Sequence, residues 1–81
     1  MKQRKMPEAE RRGFVRYLRT CLTDRELYNL YYIITIGSTS EAYLRYRFDM
    51  PLRWVRLIHS YRTATRAIVY MVLPSLYPNM K

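Results

Sequence analysis

The stretch STSEAYLRYRFDMPLRWVRLIHSY, residues 38–61, decides how this chain is read. Ser38-Thr39-Ser40-Glu41 has the form of a capping box. In that motif the first hydroxyl accepts from the N–H three residues on, and the carboxylate there accepts from the cap's own N–H. A short helix from about Thr39 to Phe48 follows. Asp49-Met50-Pro51 ends it, because the residue before a proline resists helical angles and proline suits the opening of the next helix. Two short helices that cross steeply need apolar side chains early and late in the first, one in the turn, and two on the inner face of the second. Leu44, Phe48, Met50, Val55 and Ile58 stand at those places. The outer face of the second helix then carries Leu52, Arg53, Arg56, His59, Ser60 and Arg62. A helix held at its back and rich in arginine on its front is suited to a major groove, where guanidinium forks meet base edges and phosphates.

Upstream of this unit, Thr23-Asp24-Arg25-Glu26 is a second capping box. Leu27, Leu30, Tyr31 and Ile34 follow at helical spacing, and Gly37 closes that helix as a left-handed residue. Earlier still, Pro7 suits a first helical position, with Glu8 and Glu10 where the helix dipole favours them. Phe14, Leu18 and Leu22 recur every fourth residue beside Val15 and Cys21, which predicts a helix over 7–21, although Gly13 within it is a weak helix former. Residues 1–6 carry Lys2, Arg4 and Lys5 without an apolar pattern and read as a basic arm.

Downstream, residues 51–73 contain neither glycine nor proline after Pro51 itself. Trp54, Leu57, Tyr61, Ala64, Ile68 and Met71 form a heptad-like stripe along them. The stretch is either one long helix or two that share a face, with the break in the polar, β-branched segment 60–65. Seven consecutive apolar residues, 67–73, are open to a strand reading as well. The stripe is wide for so small a core, so Ala64, Ile68, Met71 and Val72 are expected to pair two copies of the chain. The competing expectation folds this stripe back on Phe14, Leu18 and Leu22. Pro74 and Pro78 make 74–81 an extended tail. The expected architecture is all-α, four to five helices with a helix-turn-helix unit, in one domain over 7–73.

The chain has 81 residues, 49% of them hydrophobic, which is enough apolar material for a core and argues against wholesale disorder. Fifteen Lys and Arg against six Asp and Glu leave a net charge of +9, and twelve of the fifteen are arginines. So large an excess repels itself unless an acidic partner offsets it. One cysteine and one histidine supply no internal disulfide and no zinc set. Neither a Gly-rich phosphate loop nor a nucleophile–base arrangement appears, so the reading is of a non-enzyme without metal or cofactor. The longest uncharged runs, 27–40 and 67–80, have 14 residues each, short of the roughly 18–20 that cross a bilayer, and no integral membrane association is expected. Cys21 reads as a small buried hydrophobe, Trp54 as a core or interface residue, and the nine tyrosines as amphipathic packing residues.

Residues 27–61 resemble the DNA-binding core of small regulators from bacteria and mobile elements, such as KorA-type plasmid repressors and PapB-type fimbrial regulators. Gly37-Ser38, Glu41-Ala42, Tyr46-Arg47-Phe48-Asp49-Met50 and Trp54-Val55 carry the resemblance. Arg45 stands where such units have a small residue, and it must lean outward along its aliphatic stem. Asp49 stands where they have glycine, and it tolerates a left-handed turn better than most residues. The resemblance and the charge together imply a sequence-specific transcriptional regulator, a repressor acting by occupancy as a homodimer on double-stranded DNA. Its place would be the cytoplasm of a bacterium, encoded by the host, a phage or a plasmid. Arg53 and Arg56 are the expected base readers, with His59 and Ser60 beside them. Lys2, Arg4, Lys5, Thr39, Ser40, Arg45, Arg47 and Arg62 are the expected phosphate contacts. The alternative is a small basic inhibitor or adaptor that binds an acidic protein surface.

Overall fold

The computed structural model describes residues 5–74. Its elements are all helices: α1 (Glu8–Cys21), α2 (Asp24–Ile36), α3 (Glu41–Phe48), α4 (Leu52–Ser60) and α5 (Arg62–Val72). The local signals explain most of their ends. Thr23 and Glu26 form both hydrogen bonds of the capping box at the start of α2. Gly37 closes α2 at φ +85°, and its N–H and that of Ser38 both reach back to the Ile33 carbonyl. Because Ser38 is engaged in ending α2, it does not cap α3. Ser40 does so instead, accepting from the Tyr43 N–H at 3.2 Å, and α3 begins at Glu41, two residues later than the expected box placed it. Pro7 sits one position outside α1, with an extended ψ of 143°.

One core holds the five helices together. α1 contributes Phe14, Tyr17 and Leu18, and α2 contributes Leu27, Leu30, Ile33 and Ile34. α5 packs on α1, α2 and α4, and buries Ile68 and Val69. The run 51–73 is two helices, broken at Tyr61, whose φ of −133° and ψ of 57° leave the helical region. Thr65, wholly buried beside this break, turns its hydroxyl to the Tyr61 and Arg62 carbonyls at 2.9 and 3.1 Å, so no polar group is stranded there.

Two expectations are corrected here. Ile68 is 8% exposed within its own chain, because α5 folds back on α1 and α2, so this residue is not held out for a second copy. Of the other residues expected at a dimer contact, Ala64 and Val72 are half-buried and Met71 is 73% exposed. Cys21 is exposed, because it ends α1 at the surface while the apolar stripe passes to the buried Leu22. Gly13 also finds its reason in the fold. A Cβ there would lie 3.0 Å from the Trp54 indole, which packs against Phe14 and Tyr17 of α1 with ring centroids 5.7 and 5.8 Å away. Among the described residues no helix is long and apolar enough to cross a membrane.

Candidate nucleic-acid interface

The candidate site rests on α3, the three residues after it, and α4. Leu44, Val55 and Ile58 are fully buried, and Phe48 and Met50 nearly so. All five side chains expected to face inward therefore do. Asp49 turns the chain between the helices in the left-handed conformation, φ 53° and ψ 39°, and is the one non-glycine residue at positive φ among those described. Short polar side chains accept that conformation at lower cost than others. Arg45 leans outward as its position requires and meets Glu41 at 3.4 Å across one helical turn.

With Trp54, Val55, Leu57 and Ile58 buried, the helical period of about 100° per residue turns Arg56 and Ser60 to the middle of the outer face of α4, with Arg53 at one flank and His59 at the other. All four are exposed. Arg53 lies with its Cζ 4.4 Å above the Trp54 ring. This stacking uses the face of the guanidinium and leaves its N–H edge open to hydrogen-bond acceptors. Arg56 has no hydrogen-bond or ion-pair partner among the described residues. His59 is held differently: its Nε2–H donates to the Thr39 carbonyl, which ties the end of α4 to the segment before α3. That bond assigns His59 a bracing role in the isolated chain and leaves Nδ1 as its outward nitrogen.

The expected phosphate contacts divide. Arg47 and Arg62 are exposed, as is Ser40, whose hydroxyl oxygen accepts from the Tyr43 N–H as the cap of α3 and keeps its own O–H free to donate. Arg62 reaches back over the end of α2, so that a Cβ on Gly37 would lie 3.3 Å from its Nη1. There the guanidinium faces the negative end of the α2 dipole. Thr39 is 5% exposed and is removed from the set, since the chain between α2 and α3 turns it inward. Lys5 is exposed, whereas Lys2 and Arg4 lie outside the described residues.

The chain has no Asp or Glu from Met50 to Pro74 and four arginines there. The exposed sides of α4 and α5 therefore carry positive charge with no carboxylate beside it on either helix. Among the described residues no three His, Cys, Asp or Glu side chains come together as a metal would need. One feature escaped the sequence reading: a groove of about 660 Å³ between α2 and α3, lined by Asn29, Tyr32, Ile36, Tyr43 and Arg47 among others. Tyr32, Ile36 and Tyr43 expose 62, 53 and 41% of their surface on it. Its sequence signal is an excess of apolar residues on α2 beyond one stripe, which periodicity alone does not separate from core. Compared with known proteins, the chain matches no family model, and no curated protein or solved structure resembles it at a significant level.

Proposed function

We propose that the chain binds double-stranded DNA through α3 and α4 as a helix-turn-helix unit and regulates transcription by occupying its site. One observation carries the reading. The five inward positions of such a unit are buried together, while the face of α4 opposite them presents Arg53, Arg56 and Ser60 with no carboxylate on that helix or the next. A rigid helix with arginine forks on its outer face fits the donor and acceptor pattern of the major groove. Arg53 and Arg56 are the base readers of this proposal, and Arg47 and Lys5 phosphate contacts. A homodimer on a pseudo-palindromic site would meet through Met71 and Ala64, since Ile68 serves the chain's own core. Repression in the bacterial cytoplasm belongs to the same proposal.

A salt titration on random duplex DNA tests it. If the protein covers about 6–8 phosphates, log affinity falls with log salt at a slope near −5 to −7. Absence of binding at low salt refutes the proposal.

The second reading, an adaptor for an acidic protein surface, has its own supporting observation in the groove between α2 and α3. Tyrosine and arginine are enriched where protein partners bind most strongly, and Tyr32, Tyr43 and Arg47 line that groove. Substituting Tyr43→Ala and Arg47→Ala together separates the two. DNA affinity falls by no more than the one lost phosphate contact if the first reading holds.

A further inference from the structure

We infer that α1 carries a second nucleic-acid surface, a row of arginines that grips the phosphate backbone independently of sequence and of α4. The core side of α1 is set by Phe14, Tyr17 and Leu18. At 3.6 residues per turn the opposite side falls on Arg12, Arg16 and Arg19, spaced i, i+4 and i+7, with Arg11 and Val15 alongside. All four arginines are exposed, and they line a shallow depression of about 350 Å³ together with Val15 and Thr20. The Thr20 hydroxyl is occupied by the Arg16 carbonyl at 2.8 Å, so the donors that face outward from the depression are guanidinium groups.

The balance of charge separates this row from an ordinary solvated face. Glu8 is the one carboxylate paired with it among the described residues, at 3.3 Å from Arg12 and 3.9 Å from Arg11. Both pairs are exposed, and such pairs are weak enough to yield to a phosphate. Arg16 and Arg19 have no ion-pair partner among the described residues. Glu10 lies on the far side of the helix from the row by the same period. Three guanidinium groups thus stand along one line with a single carboxylate at its start.

The spacing fits a nucleic-acid strand. From Arg12 to Arg19 the helix rises about 10 Å. One strand of a duplex offers a phosphate about every 3.4 Å along its axis, so that length spans about three phosphates for three arginines. Arginine binds each through a planar fork rather than as a point charge. An arginine can also fork onto a guanine edge, but α1 lies outside the α3–α4 unit that enters the major groove in this reading, so the row is assigned to phosphates and its contribution is independent of sequence. It belongs to a different helix from the proposed base readers, and deleting one surface leaves the other in place.

The test uses the full chain with Arg12→Gln, Arg16→Gln and Arg19→Gln combined, and separately the pair Arg53→Gln and Arg56→Gln. Circular dichroism establishes that each variant keeps its helices. Affinity for a random-sequence duplex is then followed over a fourfold range of salt. Loss of three phosphate contacts lowers the steepness of the log–log plot by about 2.7, which over that range changes the affinity ratio about 40-fold. An unchanged slope in the triple variant overturns the α1 surface, whatever becomes of α4. Failure of the α4 proposal looks different: the pair variant then binds like the wild type while the triple variant still loses slope. Vesicles of phosphatidylcholine with and without phosphatidylserine form the last arm. If anionic vesicles bind the wild type more tightly than the duplex does, and the triple variant loses that binding, the row serves a lipid surface and the nucleic-acid assignment falls. If the triple variant melts out its helices, single Arg16→Gln and Arg19→Gln variants decide, each expected to lower the slope by about 0.9.

Discussion

α4 and α5 come from one run of sequence without an internal glycine or proline, and each carries two exposed arginines, yet the two pairs are placed differently. Arg66 of α5 donates to the Tyr31 hydroxyl of α2 at 3.1 Å and lies over its ring, and Arg62 reaches back over the end of the same helix. The Arg66 guanidinium is thus engaged in holding α5 to α2, while that of Arg62 lies against the C-terminal end of α2 without a hydrogen bond among the described residues. On α4, Arg53 is steadied from beneath by Trp54 and Arg56 stands alone. The comparison teaches that a count of arginines does not measure a binding surface. What matters is which N–H edges the fold leaves unengaged.

The largest test of the comparison concerns the core side of the two helices. α5 is a core element of the single chain, so Ile68→Glu places a carboxylate where no partner awaits it and is expected to cost about 4 kcal/mol or more. A domain of this size has little beyond that, so loss of the helical signal at 25 °C is the expected result. A variant that stayed folded, soluble and monomeric would mean that α5 faces a second copy instead.

Next comes the indole that steadies Arg53. Tyr17 stacks on Trp54, and its phenol is pushed up to about 12, first by burial and then by the nearby Cys21, Glu26 and Asp49. An acid whose folded value is raised keeps its proton in the fold after the unfolded chain has lost it. Stability therefore falls as pH rises from about 10 to about 12, by up to about 2–3 kcal/mol. Denaturant melts of wild type and Tyr17→Phe over this window should diverge, with the variant losing less. Parallel curves would show that Tyr17 is more solvated than its packing requires.

The arginines themselves give the direct comparison. Arg56→Ala is expected to weaken binding to a specific DNA site by roughly 1–3 kcal/mol and to leave thermal stability nearly unchanged. Arg66→Ala should do the reverse, costing at most about 1 kcal/mol of stability through the lost contact with Tyr31 and having little effect on site preference. Equal effects of the two substitutions on binding would erase the distinction drawn between the helices.

The smallest effect is expected at the turn that presents α4. Asp49 holds a left-handed conformation and places a negative charge at the C-terminal end of α3, where the helix dipole opposes it. Glycine has no Cβ to strain there, so Asp49→Gly should stabilise the chain by about 0.5–1 kcal/mol, seen as a raised melting temperature. A lowered one would reveal a favourable contact of the carboxylate with the basic surface.

The sequence by itself determined the helices and much of the α3–α4 packing. The Thr23–Glu26 capping box, Gly37, Asp49-Met50-Pro51 and the spacing of Leu44, Phe48, Met50, Val55 and Ile58 act over a few residues, within the reach of local backbone sterics and helical period, whereas the cap of α3 fell to Ser40 rather than Ser38. The tertiary structure alone decided the rest. An apolar stripe establishes that a face is buried but not against what, because the hydrophobic effect has no direction. So the stripe through Ile68 was legible as apolar, while the choice between a second copy and the chain's own α1 stayed open until the fold packed α5 on α1 and α2. The polar contacts between elements join residues far apart in the chain: His59 to Thr39 at the candidate site, and Arg66 to Tyr31 and the Tyr28 hydroxyl to the Pro74 carbonyl between α2 and the C-terminal part, separated by 20, 35 and 46 positions. Whether an arginine is engaged in such a contact or left facing solvent depends on the helix that the fold brings beside it, and no local rule carries that information.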